Sequence, residues 1–458
     1  MRPTFANFLL LFCAPLMAQE HTLGGEFRLE GQQLAKDCTN FKTALGCAQT
    51  LVTDHPMHLS AGSLAPGNGV GLGPAFVFDW NAGENWRLNL NADAVASTNG
   101  SWRTGIYLKA LFSSSKPVQV VHKRPDPNKK KPETLFGPVP ELNFYAQGIS
   151  LNNLSYYGEG QFSSRQNLAL YGMEETIVGG NAVYPLGKTG LALFGELNGR
   201  QVSLRGRHGD SSPSIEQLYT EATAPGLLKQ PGYFQAGEGL RLTHDFGDHL
   251  NLQWAGTLQQ FVATDSRYSF ERWTLDFAHQ IPLYSKGKQR RAPASQGVGP
   301  DQSPVALEAS RYHTNNVEGA FGLRVLLSES IIPAGHVEPF YFQPTLGGND
   351  INGNWKLGSY ADYRFRAPNV LLFHGSFEHS LWGPIGATIM SDFGRVAVTR
   401  AELGFDHFRH SYAAGLTIRA GAFPQVWLLF AWAGGEGTHT TAYINPVLLG
   451  GSIRPSLF

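Results

Sequence analysis

Residues 272–283 read RWTLDFAHQIPL and alternate almost without a break. Trp273, Leu275, Phe277, Ile281 and Leu283 share one parity, and Arg272, Thr274, Asp276, Ala278 and Gln280 share the other. Successive side chains of a strand point to opposite faces, so this segment has one apolar and one polar side. A barrel wall with hydrocarbon outside and a polar lumen inside requires that pattern.

The pattern recurs along the chain. In 86–96, WRLNLNADAVA, Leu88, Leu90, Ala92, Ala94 and Ala96 oppose Asn89, Asn91 and Asp93. In 371–379, Leu371, Phe373, Gly375 and Phe377 oppose Leu372, His374, Ser376 and Glu378. In 385–394, Ile385, Ala387, Ile389 and Phe393 oppose Thr388, Met390 and Asp392. Further strands are expected at 68–80, 101–113, 141–151, 165–185, 188–206, 231–246, 249–264, 305–327, 404–420, 424–433 and near 438–458. Tight turns are expected at NAGEN (81–85), STNGS (97–101) and FGDH (246–249). Polar insertions at 114–140, 207–230 and 284–304 suggest an asymmetric barrel, with tight turns at one rim and long loops at the other. At about 25 residues per strand and connector, the chain predicts an all-β, transmembrane antiparallel β-barrel of about 16 strands. A soluble array of β-sandwiches would show internal repeats, and none is present.

Composition agrees. Of 458 residues only 16% are charged, Lys plus Arg balance Asp plus Glu at 36 each, and there are 53 glycines. A net charge of zero gives no electrostatic footprint for nucleic acid. No apolar run is long enough for a spanning helix. At the start, Arg2 followed by FANFLLLFCAPLMA reads as a signal peptide over 1–18. Residues 19–58 then form a short periplasmic segment, with the barrel at 59–458. Cys38 and Cys47 enclose a short loop, and in an oxidising compartment a disulfide is expected of them rather than a metal pair.

Chemical motifs are few. GNGVGLG (67–73) is followed by strand-like PAFVFDW rather than a helix, so its glycines are read as packing residues and not as a phosphate cradle. The run KRPDPNKKKPE reads first as a solvated loop and alternatively as a patch for anionic lipopolysaccharide. The 15 histidines show no ligand spacing, and no G-x-S-x-G elbow occurs. No cofactor, metal site or catalytic residue is expected, and the chain is read as a non-enzyme.

Residues 345–396 resemble the barrel of the bacterial surface antigen superfamily, the BamA- and TamA-type outer-membrane barrels. The resemblance rests on Gly347-Gly348, Arg364-Phe365-Arg366, Phe377-Glu378 and Asp392-Phe393-Gly394-Arg395-Val396, in order and spacing. HSYAAGLTIRA (410–420) looks like the next family strand, and LSYYGEG (154–160) resembles an upstream element. The resemblance implies a loop folded into the lumen, whose [VIL]-R-G-[FY] tetrad aligns here with Ile351-Asn352-Gly353-Asn354, without the arginine. It also implies that acids on the following strands, here Glu378 and Asp392, receive that arginine. Strand alternation independently puts both acids on the lumen parity. Two buried carboxylates without a cation are costly, so Arg364, Arg366 or Lys356 is expected to supply the charge; the alternative is a wet lumen in which the acids have no special partner.

Phe458 fits the terminal aromatic that barrel-assembly machinery recognises, while Pro455 removes a ladder donor and confines the last strand mainly to 438–446. Family members carry N-terminal POTRA modules, for which this chain is expected to have no room. The function implied is assistance to proteins or lipids inserting into or crossing the outer membrane, with the lipid bilayer, lipopolysaccharide and outer-membrane protein clients as partners. A passive pore for small solutes is the alternative, and a lumen-rim lipid hydrolase a third.

Overall fold

The computed structural model describes residues 23–37, 56–83, 85–112, 139–187, 189–207, 212–246, 250–286, 317–382, 385–420, 423–444 and 452–457. The chain divides into two units, 1–58 and 59–458. In the first, helix α1 spans Leu23–Asp37. The segment 1–18 and both Cys38 and Cys47 lie outside the described residues.

The strands follow in chain order. They are β1 (Met57–Ser63), β2 (Val70–Ala82), β3 (Trp86–Ala96), β4 (Trp102–Phe112), β5 (Glu141–Tyr156) and β6 (Ala169–Pro185). Next come β7 (Leu191–Gly206), β8 (Tyr233–Asp245), β9 (Asn251–Ala263), β10 (Phe270–Lys286) and β11 (Val317–Ile331). Two short strands, β12 (Thr345–Leu346) and β13 (Phe365–Arg366), precede β14 (Asn369–Trp382), β15 (Ile385–Ala397), β16 (Arg409–Ala420), β17 (Phe423–Trp432) and β18 (His439–Ile444). Sixteen of them form one sheet, β1 to β11 followed by β14 to β18, in sequence order, while β12 and β13 pair only with each other. The edge strands β1 and β18 meet where Ile444 N–H donates to Ser63 Oγ at 3.2 Å, so the sheet is a nearly closed barrel. Strand β1, MHLSAGS, has Met57, Leu59 and Ala61 outward and His58, Ser60 and Gly62 inward, and is the one wall strand that the sequence reading does not predict.

The wall is inverted relative to a soluble protein. On β15, Ile389 is 58% exposed to the outside, whereas Thr388 and Asp392 are each 1% exposed and face inward. Asn89, Asn91 and Asp93 on β3, Arg200 on β7 and Gln235 on β8 are likewise buried, while Val178, Leu197, Phe234, Leu416 and Phe430 face out. An exposed apolar surface around a polar interior is stable only where the outer solvent is hydrocarbon. Aromatic neighbours on the outer wall, such as Tyr412 with Trp432 and Phe430 with Trp432, suit a membrane interface.

The glycines of 67–73 occupy the β1–β2 turn and the start of β2. A Cβ on Gly73 would fall 2.0 Å from the carbonyl oxygen of Ala94, so its lack of a side chain permits close strand approach.

Connectors of an antiparallel meander alternate between the two rims. The connectors 157–168, 207–232, 332–368 and 398–408 leave one rim. The strands flanking 113–140 and 287–316 end at the other. Long connectors therefore leave both rims, which corrects the expectation of tight turns at one end alone. The reason is strand parity: an odd number of strands separates 113–140 from 207–232.

Candidate functional site

The connector 332–368 turns back into the barrel and fills much of the lumen. Its first part carries Phe340-Tyr341-Phe342, all buried. Phe340 packs against Tyr156 and Tyr171, with ring centroids 4.9 and 5.3 Å apart, and Phe342 packs against Tyr233 at 4.9 Å. Such aromatic contacts contribute burial that offsets the entropy of ordering so long a connector. The loop also brings a buried acid, Glu338, which pairs with Arg272 of β10. Burial pushes the Glu338 carboxyl above the usual carboxylate range, against the pull of Arg272. Arg272 also donates to the carbonyl of Phe342 at 2.7 Å.

Strands β12 and β13 then pair, Thr345 opposite Arg366 and Leu346 opposite Phe365. Between them the chain makes an inner hairpin. Gly347 N–H donates to Lys356 O at 2.9 Å, Lys356 N–H to Gly348 O at 2.9 Å, and Asp350 N–H to Asn354 O at 2.9 Å. Asp350 organises the tip: its Oδ1 accepts from the backbone N–H of Asn352 (3.0 Å) and Asn354 (2.8 Å), and its Oδ2 lies 2.9 Å from Lys356 Nζ. Gly353 sits at φ +83°, and a Cβ there would fall 2.4 Å from the Tyr443 hydroxyl of β18. The tip therefore reaches an edge strand of the barrel. Leu357 and Tyr363 adopt φ of +58° and +60°, a conformation costly for such residues and one that surrounding contacts must hold.

The expected charge cluster is divided by the structure among several partners. Asp392 of β15 accepts the backbone N–H of Leu357 at Oδ2, 3.0 Å away, and its Oδ1 lies 2.6 Å from His374 Nδ1. His374 is register-paired with Asp392 on one side and Arg324 on the other. Arg324 in turn holds Asp276 through two contacts of 2.8 Å. Glu378 lines a cavity of about 200 Å³ with Arg324, His374 and Ser376.

The cations expected at these acids lie elsewhere. Lys356 pairs with Asp350 within the loop. Arg364 reaches Glu436 at 2.9 Å and donates to Ser163 Oγ and O at 2.9 and 2.7 Å. Arg366 donates to Phe340 O at 2.5 Å and lies over the Tyr156 and Phe340 rings. The expected pairing of these cations with Asp392 is thus corrected. The physical reason is that Asp350, inside the loop, takes Lys356, while the chain turns at Leu357, φ +58°, with its peptide N–H on Asp392.

Of the aligned tetrad, Ile351 is buried in the lumen cluster. Asn352 makes two hydrogen bonds to the segment 452–457: it accepts from Leu457 N at 2.9 Å and donates to Ser456 Oγ at 3.2 Å. Phe458 lies outside the described residues. Residues 452–457 are not strand but run along the inner wall, so β18 ends before Pro455. The Glu338–Arg272 pair and the inward course of 452–457 are features that sequence reasoning missed. The aromatic run Phe340–Phe342 inside a connector was the available signal that the loop is buried.

No protein-family model matches this sequence, and no curated protein matches it. Solved structures do resemble the barrel. BamA from Haemophilus ducreyi, in a form lacking POTRA domains 1–3, aligns with a TM-score of 0.50 and 11% identity over 84% of this chain and 69% of that one. CdiB from Acinetobacter baumannii aligns at 0.45 and 11%, over 84% and 59% of the two chains. CdiB from Escherichia coli aligns at 0.48 and 11%, over 86% and 62%. This chain thus spans less than two thirds of either CdiB chain. At this identity the likeness to BamA establishes a shared barrel fold and nothing finer.

Proposed function

We propose that this chain is an outer-membrane barrel of the surface antigen superfamily that assists proteins or lipids in inserting into or crossing that membrane. The observation that carries the reading is the connector between the eleventh and twelfth wall strands, folded into the lumen and held by Asp392 of the thirteenth. Two further features support it. The edge strands are short, β1 of 7 and β18 of 6 residues, and the loop tip touches Tyr443 at that seam. A short seam next to an apolar outer belt thins the barrier to polar strand edges, which hydrocarbon otherwise opposes by several kcal/mol per unpaired group.

The pathway is one of physical assistance without covalent chemistry. Outer-membrane protein chains are the clients in this reading, and the bilayer with its lipopolysaccharide is the surrounding partner. The passive-pore alternative is disfavoured by the lumen itself, which the connector 332–368 and the segment 452–457 occupy. Purified barrel reconstituted in liposomes tests the reading: it accelerates the insertion of a denatured outer-membrane barrel added from solution. Stable ohmic conductance without acceleration would favour the pore.

A further inference from the structure

The segment Ser452–Leu457 leaves the wall and binds the lumen face as a ligand would. Ser452 Oγ donates to Asn89 Oδ1 and accepts from Asn91 Nδ2 at 2.9 Å. Arg454 Nη2 lies 2.7 Å from Asp93 Oδ2, and its guanidinium sits 5.7 Å from the centre of the Tyr107 ring. Arg200 donates to the carbonyl of Ser456 at 2.8 Å. Leu457 is buried in the lumen cluster while its N–H donates to Asn352.

The wall groups in these contacts keep partners of their own. Asp93 Oδ2 also accepts from Arg103 at 3.1 Å. Arg200 holds Glu175 at 2.7 Å, and Asn89 donates to Asp79 at 2.6 Å. Withdrawal of the segment therefore leaves no buried charge uncompensated, which is the usual obstacle to breaking an internal ion pair. The segment is not locked by a ladder either, since Pro455 has no N–H to give. Its Ile453 side chain is 43% exposed rather than packed.

We propose that the lumen face of β3, β4 and β7 is a binding track for extended peptides in which an arginine is followed, three residues on, by an apolar residue. In the resting barrel the chain's own Ser452–Leu457 fills it as a displaceable plug. Asp93 selects the arginine, Arg200 holds the backbone carbonyl before the apolar residue, and the aromatic lumen cluster takes the apolar side chain. This inference requires only the lumen geometry, so it stands or falls separately from the insertion reading.

The test uses the full chain in detergent, with Cys13, Cys38 and Cys47 replaced by Ser, and a fluorescent peptide of sequence GSIRPSL as probe. Arg454→Glu expels the internal segment, and loss of a charge-assisted contact shifts docking by about tenfold or more. Peptide anisotropy should then show at least that gain in affinity over the parent barrel. Adding Asp93→Asn should abolish the gain, as should a peptide with Glu in place of Arg. A second variant, Asn352→Cys with Ser456→Cys, covers the case in which Arg454→Glu fails to fold. Oxidised, it should exclude the peptide; reduced, it should admit it. Equal peptide binding by the oxidised and reduced forms, or by folded Arg454→Glu and the parent, would overturn the proposal.

Discussion

The backbone N–H of Leu357 donates to Oδ2 of Asp392 over 3.0 Å, and the other carboxylate oxygen meets His374 at 2.6 Å. The lumen loop is thus held to the wall by a peptide group, at the place where the sequence resemblance anticipates an arginine. A peptide donor carries no charge. Its grip depends on geometry, and Leu357 makes the contact in a left-handed conformation, φ +58°.

Removing the acceptor should therefore release the loop. Asp392→Ala leaves the Leu357 N–H buried and unpaired, at a cost of about 1–3 kcal/mol. Asp392→Asn keeps an acceptor oxygen and should lose less. Thermal unfolding of the gel-shifted folded form, together with protease cleavage within 332–368, measures both effects; equal stability of Asp392→Ala and the parent would contradict the assignment.

The hairpin tip depends on a residue without a Cβ. Gly353→Ala places a methyl against the Tyr443 hydroxyl and forces an alanine into φ +83°. The conformational part costs about 1–2 kcal/mol. Tyr443→Ala in the same chain removes the ring as well as the hydroxyl and should recover only the steric part. A double-mutant cycle on unfolding temperature separates the two, and full additivity would show that the tip does not touch β18.

Much of this was legible in the residues. Period-two alternation in RWTLDFAHQIPL and WRLNLNADAVA assigned the wall and its faces, because lipid and lumen impose opposite polarity on alternate positions. Asp392 was likewise readable as a lumen residue from its strand parity. The partner of Asp392 was not, since a backbone N–H leaves no trace in residue identity. Nor could alternation show that Arg364 would leave the acids for Glu436 and Ser163, which lie far away in sequence and meet it only when three connectors converge at one rim. Strand β1 escaped detection because it is only seven residues long and its outward apolar positions are just Met57, Leu59 and Ala61.

Arg364 should matter more than its ion pair suggests. Besides Glu436 it donates to both oxygens of Ser163 and lies 5.0 Å from the centre of the Tyr157 ring. Glu436→Ala removes one contact and should cost about 1 kcal/mol or less, in the range of partly exposed pairs. Arg364→Ala loses the whole set and should cost about 2–3 kcal/mol. Arg364→Lys should fall between them, because an ammonium cannot reproduce the guanidinium fork. Unfolding temperatures of the three variants should follow that order.

Acidity offers a separate handle on the loop. Burial pushes the Asp362 carboxyl above the ordinary range, although Asn349 N–H donates to it at 3.0 Å. A carboxyl raised in the folded state contributes stability fully below its unfolded value of about 4 and loses it as pH rises through the folded value. Asp362→Asn keeps an acceptor for Asn349 and has no proton to lose. It should unfold at a higher temperature than the parent at neutral pH, and the advantage should vanish on acidification. A pH-independent difference would remove Asp362 from this role.

The outer wall makes a sharper demand. Val178 is 56% exposed on the face assigned to hydrocarbon. Val178→Arg should weaken folding into bilayers by about 2–4 kcal/mol if the residue lies near the midplane. Folding in detergent and in liposomes should diverge for this variant, and equal tolerance in both would argue against a lipid-facing wall.

The account is tested most directly by insertion kinetics. Liposomes containing the purified barrel are mixed with a urea-denatured outer-membrane barrel, and the folded client is followed by its gel shift over time. The account predicts faster client folding than in empty liposomes, and a weaker effect when Asp392→Ala releases the lumen loop. Client folding at the same rate with and without the barrel would contradict it.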